Sequence, residues 1–141
     1  SRIGNLLSSR KELAKKFRDS SSFIFDSDKI EDSDSKLIHA IINIVLENIE
    51  EEKINADFIA ERVNMSRSLV YLKIEALTSQ SVNEFVRNIR LKKSMQLLKE
   101  SSRNITEIAY AVGFSSQSYF SRSFVKQFGV TPKEFQQKGK I

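Results

Sequence analysis

Apolar residues recur at helical spacing along most of this chain, and no stretch alternates with the period of a β-strand. The segment from Lys36 to Glu50 carries them in a dense three-four pattern, which predicts a central core helix. Residues 2–18 carry a shorter stripe, interrupted by Arg10, which predicts a brief amphipathic helix. The acidic residues from Asp26 to Asp34 are typical of a linker. The pattern therefore predicts an all-α fold.

Eight residues recur from position 59 to position 108: IAERVNMS returns as IAYAVGFS. In both copies an alanine occupies the point where two short helices would cross. Four residues later, Asn64 or Gly113 stands where the chain must turn in a left-handed conformation. These features predict the first helix and tight turn of a helix-turn-helix, twice. A second helix follows each copy, with inward residues Val70, Ile74 and Leu77, and Phe120, Phe124 and Phe128.

Capping residues predict where the remaining helices begin. Ser81 with Glu84 forms a capping box that opens a long connector helix. Asn104 with Glu107 opens the second unit, and Thr131 opens a last helix that starts with proline.

The predicted organisation has two parts. Residues 1–34 form an amino-terminal amphipathic helix and acidic linker, and residues 35–141 form a tandem helix-turn-helix domain. Within it, the first unit covers about 35–80, the connector helix 81–98 and the second unit about 104–137.

Positive charge is concentrated in the half that holds the repeat. Residues 1–54 contain 9 Lys and Arg against 11 Asp and Glu, whereas residues 55–141 contain 14 against 7. A polyanionic partner requires such a bias, although an ordinary lysine-rich surface would also produce it.

Composition limits the other function classes. The chain has no cysteine, which excludes disulfides and thiolate metal sites and fits a reducing cytoplasm. No apolar run approaches the ~18 residues of a membrane span, and the first residues have neither a signal-peptide pattern nor a starting Met. The only histidine, His39, lies in the core helix, and no phosphate loop or metal-ligand spacing occurs. We therefore expect no enzyme activity, metal or cofactor.

Two binding classes remain as alternatives to a DNA reader. A protein-interaction module is the stronger alternative, because the stripe in residues 2–18 could form a homodimer or dock on another domain. An RNA reader is disfavoured because the deep major groove of A-form RNA excludes such helices.

The residues from about Ser35 to Phe135 resemble the DNA-binding module of AraC/XylS-type transcription regulators. The motifs that carry the resemblance are MSRS at 65–68, EFVR at 84–87 with RL at 90–91, IAYAVGF at 108–114, YFSRSF at 119–124 and FGVTP at 128–132. The resemblance implies sequence-specific binding of double-stranded DNA and transcription regulation by two recognition helices in successive major grooves. A connector of about 18 residues would span ~27 Å, near the ~34 Å of one duplex turn.

The amino-terminal residues resemble the last receiver helix and linker of hybrid two-component regulators, through NLL at 5–7, Arg10 and residues 13–17. This resemblance implies an output domain of a longer protein, controlled by phosphorylation of an upstream receiver or sensor domain. RNA polymerase is a further candidate partner. The location would be the cytoplasm, or the cytoplasmic end of a membrane-anchored sensor.

The resemblance and helix geometry together select the contact residues. In the first recognition helix the expected base contacts are Ser68, Tyr71 and Leu72. Leu72 stands where relatives often have arginine, so contact with a thymine methyl is expected there in place of hydrogen bonds to guanine. Core packing is the alternative for Tyr71. Ser79 replaces a usual glycine, so the end of this helix is expected to differ.

In the second recognition helix the expected base contacts are Gln117, Ser118, Ser121 and Arg122, because Gln and Arg supply the groups that recognise adenine and guanine edges. A phosphate or an acidic side chain is the alternative partner for Arg122. The expected phosphate contacts, which position the protein without specifying sequence, are Arg67, Lys73, Lys92, Lys93 and Lys126.

Overall fold

The computed structural model describes residues 32–138, and all regular structure in this range is helical. Its seven helices are α1 (Asp32–Glu47), α2 (Ala56–Val63), α3 (Arg67–Thr78), α4 (Val82–Glu100), α5 (Ile105–Ala111), α6 (Gln117–Phe128) and α7 (Pro132–Lys138). The all-α prediction is confirmed. The amphipathic helix expected over residues 2–18, and the linker before residue 32, lie outside the described residues.

The first helix begins earlier than its apolar pattern predicts. α1 starts at Asp32, within the segment expected to be linker, and ends at Glu47, before the expected end at Glu50. Asp34 in its first turn favours the helix because a negative charge compensates the positive end of the helix dipole. At the other end, the Asn48 side chain donates to the carbonyl of Ile44 at 2.8 Å, which satisfies a backbone acceptor in the last turn.

The described chain divides into two compact units, residues 32–90 and residues 91–138, with the boundary inside α4. Each unit contains one copy of the repeat. The core of the first unit consists of apolar residues from four helices: Ile38, Ile41, Val45, Ile59, Ala60, Val70, Ile74, Phe85, Val86 and Ile89.

The second unit is built around a row of aromatic side chains. Phe114, Phe120, Phe124 and Phe128 follow one another with ring centroids 5.2, 5.8 and 4.7 Å apart, in edge-on arrangements that aromatic quadrupoles favour. Spacing by four residues puts the last three on one face of α6. Phe135 of α7 adds a further ring, 5.8 Å from Phe124, and the other core residues are Leu91, Met95, Leu98, Ile108, Ala109 and Val112.

The predicted helix starts are confirmed by their hydrogen bonds. Ser81 and Glu84 bond reciprocally through side chain and backbone at 3.1 and 3.0 Å, and Asn104 and Glu107 form a second capping box. Thr131 and Glu134 form the same reciprocal pair. The hydrogen bonds from Thr131 hold the pKa of the Glu134 carboxyl below its usual value.

Left-handed residues end the helices that the repeat predicts. Asn64 has φ 57° and Gly113 has φ 91°, so both copies turn as expected. Gly129 ends α6 with φ 78°. Ser79 ends α3 with φ 58°, so the expectation that α3 ends differently is wrong. Serine adopts the glycine conformation there, and its backbone N–H donates to the carbonyl of Glu75 at 2.9 Å.

Candidate nucleic-acid interface

The recognition helix of the first unit is α3, which follows the turn at Asn64. Its N-cap, Ser66, accepts a hydrogen bond from the backbone N–H of Leu69 at 3.1 Å. Val70 and Ile74 are buried and Leu77 is half-buried, so these three residues mark the inner face of α3. Inward packing of this face leaves the opposite face of α3 in solvent.

All three predicted base-contact residues of α3 are exposed. Ser68 is exposed, Tyr71 is 47% exposed and Leu72 is 65% exposed. Tyr71 therefore does not belong to the core. Leu72 is the most exposed of the large hydrophobic side chains in residues 32–138. Exposure of a leucine side chain to water is unfavourable in free energy. Contact with another apolar surface would remove that cost.

The two predicted phosphate contacts on α3 already have acidic partners. The Arg67 guanidinium lies 3.8 Å from the Asp57 carboxylate of α2, and the Lys73 ammonium lies 3.2 Å from Asp34 of α1. The Arg67 guanidinium also lies 5.8 Å from the ring centroid of Tyr71. DNA phosphates would therefore have to compete with protein carboxylates for these cations.

The recognition helix of the second unit is α6, capped by Ser116, which accepts from the backbone N–H of Tyr119. Gln117, Ser118 and Arg122 are exposed, and Ser121 is half-buried. The structure thus leaves three of the four predicted base contacts exposed, and Gln117, three residues before Phe120, is exposed because it is the first residue of α6. Gln117 is held by a neighbour, because the Thr106 hydroxyl of α5 donates to its amide oxygen at 3.0 Å.

The remaining predicted phosphate contacts are lysines with different surroundings. Lys126 is exposed in the last turn of α6, and Lys92 and Lys93 are half-buried on α4. Burial lowers the pKa of Lys92, and the Lys93 ammonium donates to Gln96 at 3.2 Å. None of these three lysines has a carboxylate partner within the described part of the chain. Their positive charges are therefore not offset by a direct ion pair with those residues.

Arg90, one of the residues that carry the family resemblance, has a structural role that was not predicted from the sequence. Arg90 is only 5% exposed, and its guanidinium donates to the backbone carbonyls of Ile49 at 2.5 Å and Glu51 at 2.6 Å. The planar fork of arginine suits two acceptors at once. A signal was present: Arg90 lies four residues after the core residue Val86 and therefore on the same helix face.

The described residues offer little for other chemistry. Within residues 32–138, no group of three or more His, Cys, Asp or Glu side chains could hold a metal ion. His39 is exposed on α1, where its Nδ1 lies 2.8 Å from the carbonyl oxygen of Ser35. In the same range, none of the helices combines the length and the apolar character that a membrane crossing requires.

Several known proteins are similar to this chain in sequence or in structure. A family model described as "Helix-turn-helix domain" matches residues 59–138. The C-terminal domain of AraT, a response regulator from Geobacillus stearothermophilus, has TM-score 0.65 and 25% identity over 72% of this chain and 84% of that chain. A transcriptional regulator from Chromobacterium violaceum, of the AraC-type DNA-binding domain-containing proteins, has TM-score 0.63 and 27% identity over 72% and 94%.

A much longer protein also contains a segment similar to this chain. Histidine kinase P4 of Formosa agariphila is 36% identical over 135 residues, which cover 96% of this chain. The chain spans only 10% of the length of that protein.

The repeated turn, the two exposed recognition helices and the family match over both units lead to one conclusion. This chain belongs to the AraC-type helix-turn-helix family of DNA-binding transcription regulators.

Proposed function

We propose that this chain recognises a specific DNA sequence with α3 and α6, which enter successive major grooves of one duplex. The observation that carries the proposal is the repetition of one turn, at Asn64 and Gly113, followed each time by a helix with one face exposed to solvent. The major groove of B-DNA admits an α-helix and distinguishes all four base pairs.

The two recognition helices offer chemically different contacts to the bases. On α3, Tyr71 and Leu72 offer mainly apolar surface and Ser68 one hydroxyl, so contact with thymine methyl groups would dominate there. On α6, Gln117 and Arg122 offer hydrogen bonds suited to adenine and guanine, with Ser118 beside them. Ser121 contributes less because it is half-buried. The second unit would therefore supply most of the hydrogen-bonded specificity.

The phosphate contacts also divide between the units. Arg67 and Lys73 lie in ion pairs, so their contribution to DNA binding is reduced by the carboxylates beside them. Lys92, Lys93 and Lys126 lie in the second unit and have no such partners among residues 32–138. We infer that the second unit makes the stronger electrostatic contribution.

The proposed groove spacing is about one turn of B-DNA, and α4 is the helix that connects the two units. Its 19 residues correspond to ~28 Å of helix, compared with ~34 Å for one turn of B-DNA. A single chain would then recognise two half-sites about one turn apart, without the need for a dimer.

The input to this domain would come from a longer protein. The similarity to one segment of a histidine kinase and to the C-terminal domain of a response regulator supports an output role under phosphorelay control. In this proposal an upstream receiver or sensor domain supplies the signal in the cytoplasm, RNA polymerase is the partner at the promoter, and residues 2–18 form a homodimer contact. Catalysis would belong to other parts of the longer protein, not to this chain.

The proposal is tested by selection of binding sites from a random duplex library, followed by hydroxyl-radical footprinting of the selected duplex. We expect two protected regions about one turn apart on one face of the DNA, together with a log–log salt dependence of several units. An RNA duplex of the same sequence is the matched control and should bind only weakly. A single protected region, or equal affinity for selected and random DNA, would contradict the proposal.

A further inference from the structure

Each unit contains an equivalent side-chain contact that the sequence repeat alone does not reveal. Asp57 is the second residue of α2 and Arg67 the first of α3, while Thr106 is the second residue of α5 and Gln117 the first of α6. In each unit these equivalent residues touch: Asp57 lies 3.8 Å from Arg67, and the Thr106 hydroxyl lies 3.0 Å from the Gln117 amide. The helix that precedes each recognition helix, α2 or α5, therefore contacts the first side chain of that recognition helix.

The chemistry of the contact differs between the units. The Asp57–Arg67 pair is charged, long and well exposed, with side chains 67% and 62% accessible, so water screens it. The Thr106–Gln117 contact is a neutral hydrogen bond of ordinary length, in which the hydroxyl donates to Oε1. The first contact mainly offsets charge, whereas the second fixes the direction of a polar group.

From this geometry we propose that Thr106 is a positioning residue that fixes the Gln117 amide for recognition of adenine. The hydroxyl of Thr106 occupies one acceptor site of Oε1, which leaves the second acceptor site and both Nε2 hydrogens for a base. Adenine offers an acceptor at N7 and a donor at N6, which match this pair. The inference rests on the proposed role of Gln117 as a base contact.

Thr106 would raise the affinity for DNA because it holds the Gln117 side chain in one rotamer before DNA binds. A free glutamine side chain samples many rotamers and loses that freedom when it binds a base. A side chain already held in one rotamer loses less, and affinity for the matching base rises accordingly. The same restraint disfavours other bases, because guanine presents two acceptors and no donor at its major-groove edge.

The test begins with Thr106→Val, which has nearly the same shape but no hydroxyl. Thr106 and Gln117 are both exposed, so we expect an unchanged unfolding midpoint. Affinity for the selected duplex should fall roughly threefold to tenfold, the range for one ordinary hydrogen bond. Thr106→Ser retains the hydroxyl and should restore affinity to within about twofold.

A double-mutant cycle with Gln117→Ala separates positioning from any other effect of Thr106. In the Gln117→Ala background, Thr106→Val should have no further effect on affinity. A base-specific readout accompanies the cycle: 7-deazaadenine, which lacks the N7 acceptor, replaces each protected adenine in turn. The loss caused by 7-deazaadenine at one position should be large for the parent chain and Thr106→Ser, and small for Thr106→Val.

Asp57→Asn is the matched control because it changes the equivalent contact in the first unit. It should leave the 7-deazaadenine effect at the second half-site unchanged. If Thr106→Val lowers affinity equally with and without Gln117, the inference is overturned while the proposed function stands. If Gln117→Ala itself leaves affinity and base preference unchanged, both the inference and the assigned role of Gln117 are overturned.

Discussion

The carboxylate of Asp34 lies 3.2 Å from the ammonium of Lys73, and this ion pair joins the first turn of α1 to the recognition helix α3. Both side chains are largely shielded from water, with 24% and 36% of their surfaces exposed. Lys73 was expected to contact a phosphate from its outward position on α3. Its partner shows that this charge also links the recognition helix to α1.

Asp34→Asn should strengthen sequence-independent DNA binding. Loss of the carboxylate frees Lys73 for a phosphate and removes a negative charge close to the DNA. We expect affinity for random duplex to rise by roughly twofold to fivefold, and the log–log salt slope to steepen by about 0.9. Fluorescence anisotropy at several salt concentrations would measure both quantities.

Glu47→Gln provides the control for this change, because it removes the same charge from the opposite end of α1. Its effect on the salt slope should be smaller. Equal slopes for Asp34→Asn and the parent chain would show that Lys73 does not reach the DNA.

Arg122→Ala should reduce sequence specificity. Arg122 is exposed on α6, one turn after Ser118, and a paired contact to a base edge is worth ~1–3 kcal/mol. We expect specific affinity to fall by that amount, while affinity for random duplex changes little. Competition anisotropy against selected and random DNA would give the two values.

Lys126→Ala is the comparison for Arg122→Ala, since Lys126 lies one turn later on α6 and is expected to contact a phosphate. This variant should weaken binding to both duplexes alike. If Arg122→Ala also weakens both alike, Arg122 contacts a phosphate and not a base.

Arg90→Met should destabilise the first unit. The substitution keeps much of the apolar stem but leaves the carbonyl groups of Ile49 and Glu51 without their charged donor. Hydrogen bonds from a charged donor contribute ~1.5–3 kcal/mol, so we expect the free energy of unfolding to fall by about that amount. Urea denaturation followed by circular dichroism would measure it.

Arg90→Lys should recover only part of the lost stability, because one ammonium replaces a planar fork. Arg122→Ala, at an exposed position, serves as the folding control and should change stability by less than ~0.5 kcal/mol. A similarly small change in Arg90→Met would mean that water replaces the guanidinium without cost.

Ser79→Gly and Gly129→Ser should have opposite effects on stability. These residues end α3 and α6 in the same left-handed conformation, which favours glycine over serine. A Cβ atom added at Gly129 would meet no atom within 4 Å, so only the backbone opposes serine there. We expect Ser79→Gly to raise the free energy of unfolding by ~0.5–1 kcal/mol and Gly129→Ser to lower it by ~1 kcal/mol.

Thermal unfolding of the two variants and of their combination would test this prediction, and the effects should add because the sites lie in different units. Gly129→Ala gives a further control without the serine hydroxyl. A stabilising effect of Gly129→Ser would contradict the backbone argument.

The fold was predictable from sequence wherever a local signal determines an element. The Ser81 and Asn104 capping boxes and the turns at Asn64 and Gly113 each depend on residues within four positions, and the structure has all of them. The start of α1 was not predictable in this way. Its first turn is polar, so apolar periodicity gives no signal there.

The exposed residues of the candidate site were largely predictable from the sequence. The side-chain contacts that hold those residues were not. Helix periodicity correctly separates the buried phenylalanines of α6 from Ser118 and Arg122, but not from Gln117, which lies three residues before Phe120. It does not reveal the contacts of Asp34 with Lys73, or of Thr106 with Gln117, because the partners are 39 and 11 residues apart. Side chains from different helices meet only after the core is packed, and a one-dimensional pattern does not contain that information.

The helix caps have a consequence for how this protein is made. Of the seven described helices, six begin at a side chain that bonds to a backbone group three residues further on: Asn55, Ser66, Ser81, Asn104, Ser116 and Thr131. Because such bonds need no distant partner, a helix start can form as soon as its own first turn has left the ribosome. Domains generally fold in the order of their synthesis, so the first DNA-reading unit can take shape before the second has been translated.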